Sequence, residues 1–217
     1  DPSSTGSNGI SAFLVDATLD GIRVGDPPKM LGNEGSHACY VWFENCEVPA
    51  DSIVGGQEGR GLKAALRGIN HARLHVAATC VGQAIRLITE MTEYASRREQ
   101  FGKRIGEFGQ IAAMLADSRA EMAAGRALCL DCAKQFDAGD KIPFIDIASA
   151  KLFCSEMVSR VADRAIQVMG GLGYMEDLSD VPRLFRDVRL FRIFEGASQV
   201  QQGNIARSMM KDNESLS

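Results

Sequence analysis

The sequence is short of the features that mark several classes of protein. Aromatic residues make up only 6% of its 217 residues, and no apolar stretch reaches the roughly eighteen residues that a transmembrane helix requires. Lysine and arginine number 24 against 28 aspartate and glutamate residues, which leaves a formal net charge of −4. We therefore expect neither a membrane span nor the basic surface of a nucleic-acid-binding domain.

Cysteine and histidine are too sparse and too scattered for a disulfide framework or a structural metal. The six cysteines are fewer than a small disulfide-stapled secreted domain would carry for its length. Cys129 and Cys132 form one CxxC pair, without the second pair that a zinc knuckle needs. His71 and His75 lie four residues apart, but the glutamate of an HExxH motif is missing. We expect reduced, packed thiols in an intracellular protein and no metal site.

Three short segments near the start of the sequence are typical of β-strands. Residues 10–15 and 21–25 are apolar runs between turn residues, and residues 37–48 are rich in valine, tyrosine, tryptophan and phenylalanine. Three strands are too few to cover the edges of an antiparallel sheet. Another chain could complete the sheet, but we favour a larger β domain whose beginning precedes this sequence.

Beyond Gly59 the apolar residues recur at the spacing of amphipathic helices. The pattern predicts helices over residues 62–98, 109–136, from Pro143 to the Gly170-Gly171 pair, 181–190, and from Gly196 to Met210. Ile85 and Leu130 are among the side chains that we expect to point inward. Long helices joined by short links predict an antiparallel bundle.

The predicted fold class is therefore α+β. Residues 1–56 are interpreted as the C-terminal portion of an antiparallel β domain, and residues 57–217 as an all-α antiparallel four-helix bundle. Arginines recur every three residues in the fourth predicted helix, at positions 183, 186, 189 and 192. We favour a solvated helix face for these arginines, and the alternative is that one or more of them pair with Asp187 or with an acidic neighbour in an oligomer.

Three polar segments could each be no more than a helix end. Residues 98–103 fit a basic helix C-terminus with a glycine cap, and residues 170–174 fit a helix-stop turn. Residues 194–199 place Glu195 on a turn before a helix, where Glu195 or Ser198 could cap the first N–H groups. Taken singly, none of these segments indicates a function.

Together the segments form an ordered pattern that closely resembles the acyl-CoA dehydrogenase family, and the resemblance covers about residues 9–211. The elements are Val48-Pro49 followed by Ile53-Val54-Gly55, Arg98-x-x-Phe101-Gly102, Gln167-x-x-Gly170-Gly171-x-Gly173, and Arg186-Asp187 followed by Phe194-Glu195-Gly196-x-Ser198-Gln199. The resemblance implies a protein with an N-terminal helical domain, a middle β domain and a C-terminal four-helix bundle. This chain would then begin inside the middle domain.

The resemblance implies flavin-dependent α,β-dehydrogenation of acyl-CoA thioesters, with Glu195 as the base that removes the α-proton. Some members carry the base on the first bundle helix instead, and the matching residue here is Ala72, which cannot act as a base. In the family, the backbone N–H of the glutamate and a ribityl hydroxyl of the flavin polarise the thioester carbonyl. A donor at that oxygen stabilises the charge of the developing enolate.

The implied cofactor is FAD, and the implied contacts are carried over residue by residue. Flavin contacts match Arg98, Gln100, Phe101, Gln167, Gly171, Ala197 and Gln199, with Ala197 in place of the commoner threonine. Contacts with acyl-CoA match Asn70, Arg73, Gly196 and Arg207, with Asn70 in place of a frequent aspartate. In the family the contacts at Arg98 and Gln167 reach a flavin that is bound mainly by a neighbouring subunit.

The resemblance further implies a homodimer or homotetramer that passes electrons to an electron-transferring flavoprotein. Both a mitochondrial matrix and a bacterial cytoplasm fit such an enzyme. Two alternatives stay open: an acyl-CoA oxidase of the same fold, which uses oxygen as acceptor, and a fragment or interaction module that cannot turn over. Acyl chain length is not readable from the pattern.

We predict that this 217-residue chain alone holds FAD weakly or not at all. The family's flavin-binding strand segments, with threonine and Trp-x-Thr, have no match in the sequence. The measurement is the flavin absorbance of the purified chain after incubation with FAD and gel filtration. Stoichiometric yellow flavin would contradict the prediction.

Overall fold

A computed structural model describes residues 3–4, 6–139 and 144–214 of the chain. The chain divides into two compact units, residues 1–71 and 72–217. The predicted class, α+β with a few antiparallel strands before long helices, is confirmed. None of the described helices combines the length and the apolar character needed to cross a membrane.

The first unit contains one short antiparallel ladder. Strand β1 (Ile22–Val24) pairs with strand β2 (Val41–Phe43), so that Arg23 lies opposite Trp42. The Arg23 guanidinium stacks 3.7 Å from the centroid of the Trp42 ring, a cation–π contact that fixes this register. Both strands are shorter than their predicted ranges, because only these residues find a partner strand.

The segment predicted as a strand over residues 10–15 forms only a single bridge. Phe13 pairs with Ile53, and the flanking hydrogen bonds run from Leu14 to Ser52 and from Val54 to Ala12. An apolar run favours a strand but cannot supply the second strand that a ladder needs. The prediction of a full strand here was therefore wrong.

The described residues form six helices, five of which follow the predicted order with bounds within a few residues of those predicted. The six are α1 (Gly61–Arg97), α2 (Gly109–Asp137), α3 (Phe144–Met169), α4 (Gly171–Tyr174), α5 (Val181–Val188) and α6 (Ser198–Glu214). The four-residue helix after Gly170 was predicted instead as a helix-stop turn. A single 3-10 turn, Arg189–Arg192, extends α5 toward α6. The predicted break at Pro143 lies outside the described residues.

The core of the second unit is built from helix faces that the apolar spacing largely predicts. Its fully buried side chains include Leu87 and Met91 of α1 and Met157 of α3. Two predictions were wrong, because Ile85 and Leu130 remain 44% and 43% exposed. Small residues take the closest contacts instead: Ala77, Ala84 and Ala165 are completely buried.

A β-hairpin that the sequence did not predict follows α1. Strands β3 (Glu99–Gln100) and β4 (Lys103–Arg104) pair antiparallel, and Phe101 and Gly102 form the two-residue turn between them. Their φ angles are +52° and +78°, and positive φ at both central positions is what a type I′ hairpin turn requires. Glycine adopts this conformation readily, but for Phe101 it is disfavoured.

We predict a clear difference between two leucine truncations in the bundle. Leu87→Ala should lower the free energy of unfolding by about 2–5 kcal/mol, since it empties a fully buried position. Leu130→Ala, the matched control on an exposed face of α2, should change it by about 0.5 kcal/mol or less. Urea unfolding followed by circular dichroism measures both values, and equal losses would contradict the assigned core.

Candidate active site

The turn between the 3-10 segment and α6 has an unusual backbone. Glu195 has a φ angle of +51° and Gly196 one of +92°. A positive φ is disfavoured for glutamate, so surrounding contacts must hold the turn in this conformation. The preceding residue is anchored, because the Phe194 ring stacks on Phe191 with the ring centroids 5.7 Å apart. We call residues 194–198 the base turn, after the role that the resemblance predicts for Glu195.

The Glu195 carboxylate is half-buried and unengaged. Neither of its oxygens makes a hydrogen bond or an ion pair with any residue that the structure describes. Its charge nevertheless reaches Arg73: burial lowers the pKa of that guanidinium, and the Glu195 charge acts in the opposite direction. The carboxylate therefore lies close enough to this cation for the two charges to interact.

Beneath the base turn, three buried donors bind its two adjacent carbonyl groups. Arg73 Nε donates to the carbonyl oxygen of Glu195 at 3.1 Å, and Lys151 Nζ donates to that of Gly196 at 2.7 Å. Gln201 Nε2 lies 3.3 Å and 3.4 Å from the same two oxygens. Arg73 is 7% exposed, and Lys151 and Gln201 are completely buried. The donors come from α1, α3 and α6.

Gly196 is required by this packing. A Cβ atom built on it would lie 2.1 Å from Gln201 Nε2 and 3.4 Å from a terminal nitrogen of Arg73. Its φ angle is also in the region that other residues rarely adopt. Any side chain at position 196 would therefore displace the donors that hold the turn.

The flanks of the base turn are tied to α3 by a shared carboxylate. Glu156 Oε1 accepts hydrogen bonds from Ser198 Oγ at 2.6 Å and from Arg192 Nε at 3.0 Å. Burial alone would raise the pKa of Glu156, but these two donors and the nearby Arg160 charge hold it below its ordinary value. Ionised Glu156 thus links Arg192, two residues before the turn, to Ser198, the last residue of the turn.

A cavity of about 420 Å³ collects several of the residues predicted to bind flavin. Arg98, Gln100 and Phe101 line it from the end of α1 and the hairpin, and Gly170 and Gly171 line it from the end of α3. The Phe101 side chain is 95% exposed and meets Phe108 edge-on with the ring centroids 6.3 Å apart. None of the residues lining this cavity belongs to the base turn.

The remaining predicted contact residues are more dispersed. Ala197 and Gln199 lie in or directly after the base turn, half-buried and exposed respectively, whereas Gln167 is exposed on α3 and does not line the cavity. Arg207 is exposed, and its described hydrogen bonds go to Gly203 and Asn204 of its own helix. Asn70 is a half-buried residue of the first unit. Their assigned roles stay predictions.

The expected pairing among the arginines of α5 is present. Arg183 contacts Asp187 at 3.3 Å and Asp180 at 3.4 Å, and Arg186 pairs with Glu176. The contact of Arg183 with Asp187 agrees with the pairing alternative. Arg192, two residues before the base turn, binds Glu156 of α3.

Three residues of the site were missed by the sequence analysis: Lys151, Glu156 and Gln201. A signal for Lys151 was present, because it lies four residues after Ile147 and three before Cys154, on the buried stripe of α3. A lysine on a buried helix face needs a hydrogen-bond acceptor inside the protein, so its position predicts a specific polar contact. The pattern carried no comparable signal for Gln201 or Glu156.

The fold and the site define the class of the protein: a helical bundle whose last helix is preceded by a glutamate turn. The profile of the family described as "Acyl-CoA dehydrogenase, C-terminal domain" matches residues 59–210. The chain belongs to the acyl-CoA dehydrogenase family.

Two curated relatives illustrate the similarity. The probable acyl-CoA dehydrogenase FadE25 of Mycobacterium tuberculosis (strain ATCC 25618 / H37Rv) is 36% identical over 207 residues, which are 95% of this chain and 52% of the relative. The caffeyl-CoA reductase-Etf complex subunit CarC of Acetobacterium woodii is 35% identical over 208 residues, 96% of this chain and 54% of the relative. The chain thus spans about half the length of the relatives that it matches.

Solved structures show the same similarity in three dimensions. The glutaryl-coenzyme A dehydrogenase in complex with glutaryl-CoA superposes with a TM-score of 0.92 at 31% identity, over 97% of this chain and 53% of that one. PigA with FAD and proline superposes with a TM-score of 0.89 at 28% identity, over 94% and 52%. The similarity to the glutaryl-coenzyme A dehydrogenase agrees with the family assignment.

We predict that acid weakens the link between Glu156 and the base turn. Because the folded-state pKa of Glu156 lies below its ordinary value of 4.5, its stabilising contribution is complete above that pH. The contribution is lost as the pH falls through the folded-state value. The difference in unfolding free energy between wild type and Glu156→Gln, measured from pH 7 downward, should shrink below about pH 4.5. A difference that grows with acid would contradict this assignment.

Proposed function

We propose that the whole protein catalyses the flavin-dependent α,β-dehydrogenation of acyl-CoA thioesters, with Glu195 as the base. The observation that carries the proposal is the base turn itself. It presents a half-buried, unengaged carboxylate on a backbone that three buried donors hold in a disfavoured conformation. Strain that the surrounding contacts maintain in this way is typical of functional sites.

The chemistry explains why the carboxylate needs fixed donors beside it. A hydrogen on the carbon next to a thioester is a weak acid, and a carboxylate alone removes it poorly. A donor aimed at the thioester oxygen stabilises the enolate charge as it develops. The backbone N–H of Glu195 donates to no atom in the described part of the chain, so it is available for this role. Glu195 then holds the α-proton on its carboxylate.

The cavity lined by Arg98 and Gly171 fits a dinucleotide cofactor such as FAD. Arginine binds the pyrophosphate of such a cofactor, and the exposed Phe101 ring offers an apolar surface against which it can lie. A Cβ on Gly170 would meet no atom within 4 Å and one on Gly171 only Met175 at 3.9 Å, so the backbone here stays open to close approach. Bound FAD supplies the acceptor for the hydride that leaves the β-carbon.

The proposed function also implies two protein partners, a second copy of this chain and an electron-transferring flavoprotein. Because the cavity and the base turn share no lining residue, we infer that the cavity serves the flavin of a second subunit, in a homodimer or homotetramer. One relative is named as a subunit of a reductase-Etf complex, which supports an electron-transferring flavoprotein as the electron-transfer partner here. The acyl-CoA contacts of Asn70, Arg73, Gly196 and Arg207 belong to this proposal.

Two alternatives have distinct signatures. An acyl-CoA oxidase of the same fold would form hydrogen peroxide from acyl-CoA in air without an added acceptor. A catalytically incompetent interaction module would leave FAD oxidised when acyl-CoA is added. Assaying the full-length protein against acyl-CoAs of increasing chain length, with and without an artificial acceptor, separates these outcomes and identifies the preferred substrate.

In the full-length enzyme, Glu195→Gln should lower the rate of flavin reduction by acyl-CoA about 10²- to 10⁴-fold, the usual contribution of a general base. Binding of acyl-CoA should change little, since glutamine has the same shape. Anaerobic stopped-flow bleaching of the flavin band measures the rate, and its concentration dependence gives the dissociation constant.

Glu90→Gln is the matched control for this measurement. Glu90 is a helix glutamate that pairs with Arg86 at 2.6 Å, away from the base turn in α1. Its variant should reduce flavin at the wild-type rate. Unchanged bleaching in Glu195→Gln would remove Glu195 as the base.

A further inference from the structure

We propose that Lys151 is a positioning residue for the reaction: its ammonium group holds the Gly196 carbonyl and thereby fixes the orientation of the Glu195 carboxylate. The inference rests on the proposed function, because it assigns Lys151 a part in presenting the base. Lys151 belongs to α3 and precedes Glu195 by 44 residues in sequence, so the motif around the base gives no hint of it.

The environment of the Lys151 ammonium group supports this role. Lys151 is completely buried, and burial is the main cause that lowers its pKa. In the described part of the chain it forms no ion pair, and its one hydrogen bond is the 2.7 Å contact with the Gly196 oxygen. An unpaired buried cation is costly to the folded state. The hydrogen bond to the Gly196 oxygen is therefore the best explanation for a lysine at this buried position.

Lys151 also holds one of the two peptides that follow the Glu195 Cα. In a trans peptide the carbonyl and the N–H point in opposite directions, so a carbonyl that is bound inside the protein directs the N–H of the next residue outward. Arg73 binds the peptide between Glu195 and Gly196, and Lys151 binds the next one, between Gly196 and Ala197. The first of these peptides adjoins the Glu195 Cα, whose φ angle is +51°, and the second limits rotation at the Gly196 Cα. Among the described residues, Gln201 gives the second carbonyl one further contact, at the longer distance of 3.4 Å.

The helix that carries Lys151 is well packed within the bundle. Helix α3 packs against α2, α5 and α6, and its buried face includes Ile147, Met157 and Val161. Five residues beyond Lys151 the same helix presents Glu156, which binds both flanks of the base turn. The turn is therefore fixed to α3 at its centre and at its two sides.

The test uses the full-length, FAD-loaded enzyme and three variants. Lys151→Met keeps the length and bulk of the side chain but removes the donor and the charge. Lys151→Gln keeps a neutral donor, and it also serves if the methionine variant does not fold. Arg164→Met is the matched control, because it removes a partly buried cation from α3 whose contact, at 2.9 Å, is with Glu121 and not with the base turn.

For Lys151→Met we expect the rate constant of flavin reduction at saturating acyl-CoA to fall on the order of 100-fold, the usual effect of a small misplacement of a reacting group. The dissociation constant for acyl-CoA should stay within about threefold of wild type, because uniform binding is not affected. Lys151→Gln should recover part of the rate, and Arg164→Met should retain the wild-type rate.

A second readout does not depend on turnover. The amides of Val200 and Gln201 both donate to the Ala197 oxygen, directly after the peptide that Lys151 fixes. Their hydrogen exchange should be faster in Lys151→Met than in wild type and unchanged in Arg164→Met. Mass spectrometry or NMR resolves this difference.

The outcomes separate the two proposals. If wild type is not reduced by acyl-CoA, the proposed function fails, whereas hydrogen exchange still tests whether Lys151 holds the turn. If wild type is reduced and Lys151→Met reduces flavin equally fast, the positioning role is overturned. Equal losses of rate in Lys151→Met and Arg164→Met would also overturn it, because a general weakening of α3 would then explain both.

Discussion

Two adjacent carbonyl groups, those of Glu195 and Gly196, point into the protein and are bound there by Arg73, Lys151 and Gln201. These contacts replace the water that an exposed turn would use, and two of the three donor side chains belong to cationic residues. Since a hydrogen bond from a charged donor is stronger than a neutral one, the donors can offset the disfavoured backbone of Glu195. The orientation of the carboxylate depends on this arrangement.

Helix α3 links this local arrangement to the stability of the bundle. One side of the helix contributes much of the buried core, including Met157, Val158 and Val161. The same helix carries Lys151 and Glu156, which contact the base turn from below and from its flanks. Substitutions that shift α3 within the core should therefore act on the turn even where they touch none of its residues.

Apolar spacing predicted the order of the helices, and the family resemblance predicted Glu195 as the base. The exposure of two apolar side chains, the hairpin and the donors beneath the turn were not predicted, each for a physical reason. Helical spacing is a local property, so the order of the helices followed from it. Apolar character alone wrongly predicted that Ile85 and Leu130 point inward. Small residues such as Ala84 are completely buried instead. The hairpin at Phe101 was missed because a type I′ turn normally has asparagine or aspartate before the glycine. Lys151 carried a signal in the buried stripe of α3 that was overlooked, whereas the role of Glu156 depends on its contact with Ser198, which is distant in sequence.

The hairpin that carries Phe101 has a consequence for association. Its ring is 95% exposed in the single chain, yet its backbone is fixed by a two-residue turn and its ring rests edge-on against Phe108. An aromatic group that is already ordered loses little freedom when a neighbour covers it, so more of its buried area contributes to affinity. In the proposed oligomer, the disfavoured φ angle at this residue would preorganise a contact surface, at a cost met during folding and not during assembly.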